Sequence, residues 1–183
     1  MQRYNHYMQN TYTVTSLTLH DGRELQVRPV RPGDAGALQR LVGRLSERTT
    51  YLRYFGPMKE LGEKKARHFA EVDGYDRFAL VALDPGNKGE IVAVVRFDRE
   101  REKCDDQAEY AALVEDKFQG QGLGIGMTWM VIDAAKERGI KRLFALVLPE
   151  NRRMLGLLRA LGLPEKLYWE DGANRIEIDL QVK

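Results

Sequence analysis

A mixed α/β (α+β) domain is the fold class this sequence predicts, and three observations carry the prediction. Apolar runs of strand length recur along the chain, bounded by turn residues such as His20-Asp21-Gly22 and Asp171-Gly172. Between them lie longer stretches with apolar residues at helical spacing. A glycine-rich segment, QGQGLGIG at 119–126, joins one strand-like run to the longest of these. With 183 residues, 43% hydrophobic and 31% charged, the chain has enough apolar material for one core and is far from a disordered composition.

Taken in order, residues 1–16 are polar (MQRYNHYMQNTYTVTS) and read as an N-terminal arm, too polar for a signal peptide. Residues 17–183 read as a single domain. LTL, the turn at 20–22 and ELQVRPV predict a hairpin. Asp34 is placed to cap a helix carrying Leu38, Leu41, Val42 and Leu45. The aromatic segment TTYLRYF falls in the loop expected before a second helix at 62–72, where its aromatics could line an acceptor cleft or simply pack. FALVAL (78–83), EIVAVVRFD (90–98) and AEYAALVE (108–115) predict three strands. The helix after the glycines, with Leu123, Met127, Met130, Val131 and Ala134 on one face, should stop at Gly139. RLFALVL (142–148) is nearly unbroken and reads as a strand covered on both faces. A helix from Asn151 to about Gly162 and a final hairpin around Asp171-Gly172 complete the order.

Composition excludes several function classes. The net charge of +2, with acids and bases interspersed, lacks the basic stripe of a nucleic-acid binder. No apolar run approaches the ~20 residues that span a bilayer, so no membrane partner is expected. Cys104 is the only cysteine and the three histidines, His6, His20 and His68, are scattered; no metal site is expected, and a reducing cytoplasm suits the chain. The glycine segment fits neither a dinucleotide fingerprint nor a P-loop, since Ile125 and Met127 occupy the required third-glycine positions and no Gly-Lys-Ser/Thr exists. Ser16 and Ser46, the only serines, lie outside any nucleophile-elbow context. What remains is a strand-to-helix junction whose backbone N–H groups suit a phosphate, or a plain flexible turn.

Gln119, Gly122 and Gly124 match the Q/R-x-x-G-x-G/A pyrophosphate loop, and Asn151 with Leu161-Gly162 stand at further landmarks; in these residues the sequence resembles the GNAT acetyltransferase superfamily. The resemblance implies a mostly antiparallel central sheet with flanking helices, in which the family's fourth and fifth strands splay apart and acetyl-CoA lies in the gap. It implies cofactor contacts from Leu113 and Val114 through their backbone, from Gln119, Gly120, Gln121, Gly122, Leu123, Gly124 and Ile125 in the loop, and from Asn151. Further upstream, DGRELQVRPVRPGDA, LSERTTYLRYFGP and VDGYDRFALVAL are similar to bacterial protein-lysine acetyltransferases that silence acyl-CoA synthetases. The expected partners are therefore acetyl-CoA and a protein lysine, with an acyl-CoA synthetase as candidate acceptor, and the chain is expected as a monomer or homodimer.

Acetyl transfer to an amine needs a base. A free lysine amine, with a pKa near 10.4, is neutral in only roughly one molecule in 2,000 at pH 7. The resemblance places the family's catalytic glutamate at Glu109, which could take the proton directly or through water. Alternation also puts Glu109, Ala111, Leu113 and Glu115 on one face that is not decisively apolar, so a merely solvent-facing carboxylate fits the same pattern. Leu158 stands where many small-molecule members of the family carry a tyrosine acid, which agrees with the lysine-acetylating branch. A small-amine acetyltransferase and a silent acyl-CoA sensor are the two alternatives. Arg152 and Arg153 could meet a 3′-phosphate or be a solvated helix start.

Overall fold

The computed structural model describes residues 14–87, 89–99 and 106–181. Most of the expected arm, like His6 and Cys104, lies outside them, and its last residues, Thr15 and Ser16, already belong to a strand. Eight strands form one sheet: β1 (Thr15–Thr18), β2 (Glu24–Pro29), β3 (Arg77–Leu83), β4 (Ile91–Arg99), β5 (Gln107–Val114), β6 (Arg142–Val147), β7 (Glu165–Glu170) and β8 (Ala173–Asp179). Their spatial order is β1-β2-β3-β4-β5-β6-β8-β7. All neighbours are antiparallel except β5 and β6, which run parallel. Five α-helices cover the sheet: α1 (Ala35–Arg44), α2 (Glu47–Tyr54), α3 (Glu63–Ala70), α4 (Leu123–Glu137) and α5 (Arg152–Ala160).

Strand alternation divides the apolar residues into two cores, one on each face of the sheet. Leu38, Leu41 and Val42 of α1 and Ala66 and Ala70 of α3 pack with Ala79, Val81 and Leu113 on one face. On the other, Leu123, Met127, Val131 and Ile132 of α4 and Leu158 of α5 pack with Phe78, Phe97, Tyr110, Leu143 and Ile176. Gly126 lets α4 lie close on β1: a Cβ there would fall 2.4 Å from Leu17 Cδ1. Helix α4 ends as expected, with Gly139 at φ 74 and the Ile140 N–H turned back to Ala135 O.

Four local expectations are corrected. Asp34 does not cap α1 with its side chain. Its carboxylate faces backwards, bonding both Arg28 guanidinium nitrogens at 2.7 and 2.8 Å and the Arg31 N–H at 2.7 Å, because an ion pair competes for it. TTYLRYF is not loop but most of α2. That helix starts at Ser46, whose hydroxyl accepts from Thr49 N, and ends where Phe55 turns left-handed at φ 60. It has almost no apolar stripe, burying only Thr50, so periodicity could not reveal it. Strand β6 is covered on one face only: Leu143, Ala145 and Val147 are buried, whereas Phe144 and Leu146 are half-exposed. The layer of α1 and α3 stops at β5, and Phe144 instead carries the Arg175 guanidinium 3.8 Å above its ring. The fourth concerns the backbone of Leu113, below.

Candidate active site

β5 and β6 share only three rungs, Gln107↔Arg142, Ala108↔Leu143 and Glu109↔Phe144, and then part. The opening beyond them is the wall of a cleft of ≈1340 Å³. The hydrogen-bond parity of β5 decides which backbone groups face it. Glu115 N donates to Val92 O at 2.8 Å, and Leu113 pairs with Val94 two residues along, so Leu113 directs its N–H and C=O to β4. Asp106 O, accepting from Arg142 N, shows the opposite parity turned towards β6. Beyond the last rung it is Ala112 and Val114 that turn their backbone into the cleft. The expectation of Leu113 as a backbone contact is thereby corrected; its side chain is buried beneath α1 and α3.

At the wide end of the opening, the glycine segment wraps from β5 into α4. Gly120 and Gly122 adopt φ 74 and 85, conformations that side chains resist. A Cβ on Gly122 would lie 2.9 Å from the His20 imidazole, and one on Gly124 would lie 3.1 Å from Leu157 Cδ1. Gln119 ties the loop's start to both sides: its amide donates to Val114 O at 2.8 Å and its carbonyl accepts from Arg153. Beneath the loop, Tyr110 Oη meets Thr128 Oγ1 at 2.7 Å, and that hydroxyl donates to Gly124 O at 2.6 Å. Burial drives the Tyr110 phenol far above its usual pKa, so it stays a neutral strut. Val114, Gln119, Gly120, Gly122, Gly124, Ile125 and Asn151 all line the cleft. Leu123 is buried in the core, and Gln121 is spent on the β1–β2 turn, its C=O accepting from His20 N at 3.0 Å. Asn151 caps α5 through Met154 N at 3.2 Å.

The narrow end is built from side chains. Glu109, exposed, stands on the last β5–β6 rung and opposite Asp98 of β4. It projects to the face covered by α1, α2 and α3. Arg53, from the last turn of α2, comes near enough to act on it electrostatically. Arg53 keeps partial solvent contact, yet desolvation lowers its pKa, opposed by Tyr54, Glu109 and Asp98; it remains a cation at any working pH. Behind them Arg96, nearly buried, forks onto Asp98 at 2.7 and 2.9 Å.

Helix α2 is held in place by Asp116, which accepts from Ser46 N, Ser46 Oγ and Thr49 Oγ1 at 2.7 to 3.0 Å. Burial pushes that carboxyl up, but these bonds outweigh it and hold its pKa below the usual value. Glu115 is engaged by Arg44 and Lys117. Both acids are thus structural.

Sequence reasoning missed Arg53 and Leu52 as cleft residues because it missed their helix; Ser46 followed by Glu47 was the available capping signal. It also missed His20, which the β1–β2 hairpin brings to the loop. Leu158, 2% exposed, belongs to the core, so no hydroxyl reaches the cleft from that position. Arg152 and Arg153 both line the cleft. Among the described residues no cluster could hold a metal ion, and no helix is long and apolar enough to cross a membrane.

The model of the acetyltransferase (GNAT) domain matches residues 24–164. An acetyltransferase of Pseudomonas aeruginosa is 31% identical over 146 residues, covering 79% of this chain and 77% of its own. The acetyltransferase Pat of Mycolicibacterium smegmatis is 31% identical over 150 residues, 82% of this chain and 44% of its own; this chain spans less than half of that relative. Among solved structures, the GNAT domain of S. lividans PAT aligns with a TM-score of 0.83 and 34% identity over 91% of this chain and 96% of that one. A sheet parted after three parallel rungs, a glycine loop at its mouth and these matches lead to one assignment: the chain belongs to the GNAT acetyltransferase family.

Proposed function

We propose that the chain is an acetyl-CoA-dependent protein N-acetyltransferase, that it acts on a lysine side chain, and that Glu109 is its general base. The observation that carries the reading is the position of Glu109. It occupies the last rung before the strands part, where the backbone-lined end of the cleft meets the side-chain-lined end.

The two ends suit the two substrates. Pyrophosphate fits the cradle of Gly120, Gly122 and Gly124, where a Cβ on Gly122 would crowd His20 and one on Gly124 would crowd Leu157, and where the N-terminus of α4 favours negative charge. The cleft-facing N–H groups of Ala112 and Val114 and the C=O of Ala112 match the amides of a pantetheine arm, which would run along β5 towards Glu109, while the Val114 C=O is held by Gln119. The acceptor amine enters from the other end, past Arg53 and Phe55. Glu109 takes a proton from the ammonium, the neutral nitrogen attacks the thioester carbonyl carbon, and the carbon–sulfur bond breaks to release a thiolate, to which the proton still on that nitrogen passes through solvent. With Leu158 buried, that thiolate leaves without a tyrosine acid.

A protein acceptor is supported by the relatives named Pat and by the exposed aromatic rim, where Tyr51 and Phe55 of the α2 segment stand more than 40% exposed beside the cleft. Surface around a lysine supplies binding energy that orients its amine, which a free amine lacks. An acyl-CoA synthetase is the leading candidate. The test is to incubate the protein with acetyl-CoA and cell lysate, map new acetyl-lysines by mass spectrometry, and measure free polyamines and amino acids in parallel. Labelled protein lysines with poor free-amine turnover are expected. A free amine turned over with kcat/KM near or above roughly 10⁴ M⁻¹s⁻¹ and no labelled protein would overturn the reading.

A further inference from the structure

We propose that β7 is a self-complementary edge through which two copies of this chain pair, their sheets joining across a two-fold axis at Tyr168. Strand β7 is the last of the sheet, and among the described residues it pairs only with β8. All six of its residues are exposed, with Leu167 at 53%, Tyr168 at 46% and Trp169 at 67%. A soluble protein ordinarily blunts such an edge with charge, proline or a bulge. Here three apolar residues occupy its centre and charges stand only to either side.

The backbone determines which pairings are possible. The two-residue turn Asp171-Gly172, with φ 47 and 81, closes on the pair Glu170↔Ala173, and Asp179 N donates to Pro164 O at 2.9 Å. Even-numbered residues of β7 therefore bond β8, while Glu165, Leu167 and Trp169 turn their N–H and C=O outward. In an antiparallel pair, opposed residues must both point in or both point out, so a two-fold axis has to pass through a residue. An axis at Lys166 sets lysine against lysine, and one at Trp169 sets Leu167 against Asp171. An axis at Leu167 sets Lys166 against Tyr168 and Glu165 against Trp169. With the axis at Tyr168 every central pair is complementary: Lys166 with Glu170 of the second copy, Leu167 with Trp169, and Tyr168 with itself.

In that register Leu167 and Trp169 exchange both backbone bonds across the edge, four in all by symmetry. The two apolar pairs lie on the face that carries α5, since Leu167 is opposed by Ile176 within the chain; the ionic pairs lie on the other, where Tyr168 is opposed by Arg175. The next positions out, Glu165 and Asp171, are like-charged but lie at the ends: Asp171 sits in the turn, and Glu165 is neutralised by Arg159 at 3.7 Å. A contact one strand wide makes a concentration-dependent dimer with a Kd of roughly micromolar order.

Sedimentation of the full chain, from about 0.1 to 100 µM, tests this together with reciprocal charge swaps. The unchanged chain should pass from monomer to dimer. Lys166→Glu or Glu170→Lys alone should raise the dissociation constant about tenfold or more, each placing like charges together twice. The double swap should restore dimerisation. It cannot do so by stabilising the monomer, because within the chain Lys166→Glu sets a carboxylate against Glu177 and Glu170→Lys sets an ammonium against Arg175. Mild oxidation of Tyr168→Cys should give a covalent dimer, the two Cα atoms being in disulfide reach at a non-hydrogen-bonded pair, where the unchanged chain and Glu170→Cys give none. A chain that stays monomeric throughout, a dimer indifferent to the swaps, or equal cross-linking at 168 and 170 would each overturn the proposal.

Discussion

The two ends of the cleft are made of different materials. At the wide end the cradle comes from one continuous run, the tail of β5, the glycine segment and the first turn of α4, with Asn151, Arg152 and Arg153 beside it. The cradle itself is made of backbone and of absent side chains. At the narrow end Glu109, Arg53 and Phe55 come from β5 and the α2 segment, more than fifty residues apart in sequence, and the lining is made of side chains. One end offers a fixed cradle that suits a single molecule. The other can be changed by substituting a few residues without disturbing the cradle. A family that uses one cofactor on many amines would divide its site in this way.

The sharpest test of that division is Glu109→Gln, which keeps shape but cannot accept a proton. Turnover near neutral pH should fall by roughly 10²–10⁴, while calorimetry finds acetyl-CoA affinity unchanged. Parallel loss of both would mean that the ends are not separable. The converse is Gly124→Asp, which brings a carboxylate into the cradle. Its Cβ meets only the tip of Leu157 at 3.1 Å and Val114 at 3.8 Å, so circular dichroism should report an intact fold while acetyl-CoA affinity drops by about 100-fold or more. Unaltered affinity in the folded variant would remove the cofactor from this end.

Smaller effects test how each end is braced. Asp116→Asn weakens the anchor of α2, and about 1 kcal/mol of stability should go with it. Acceptor KM should rise a few-fold, with acetyl-CoA binding unaffected. Because the folded pKa of Asp116 is depressed, its anchoring contribution is present above the unfolded carboxylate pKa near 4 and is lost as pH falls through the folded value. Thermal melts from pH 6 down to pH 3 should therefore converge for the variant and the unchanged protein. At the glycine end, Tyr110→Phe removes one buried hydrogen bond beneath Gly124. It should cost about 1 kcal/mol in denaturant melts and weaken acetyl-CoA by no more than a few-fold.

The same division explains what could be read from the sequence. Alternation and glycine spacing located β3, β4, β5, α4, α5 and the final hairpin, and with them the cradle, because those signals are local. Helix α2 escaped because it is held by its Ser46 cap and by Asp116, 70 residues after that cap, not by an apolar stripe. Arg53 escaped with it. The Leu113 contact failed for another reason: β5 had been placed correctly, but which neighbour each residue bonds depends on pairing parity, which alternation of side chains does not encode. β6 looked doubly covered because Phe144 and Leu146 are apolar, although no helix lies over them and an arginine does.

The three-rung junction between β5 and β6 also bears on how the molecule breathes. On one side of it β3, β4 and β5 form a local antiparallel meander, and on the other β6 pairs along six rungs with β8, which closes a hairpin with β7. Three rungs hold the two units together, against seven between β4 and β5 and six between β6 and β8. The stitch is then the weakest of these backbone connections and the first to open. Amide protons at 142–144 and 108–110 should exchange with solvent deuterium through openings smaller than global unfolding, while those in the middle of β3 and β4 exchange only with it. A ligand that bridges the two arms would slow exchange at the stitch most, which makes its protection a direct readout of occupancy.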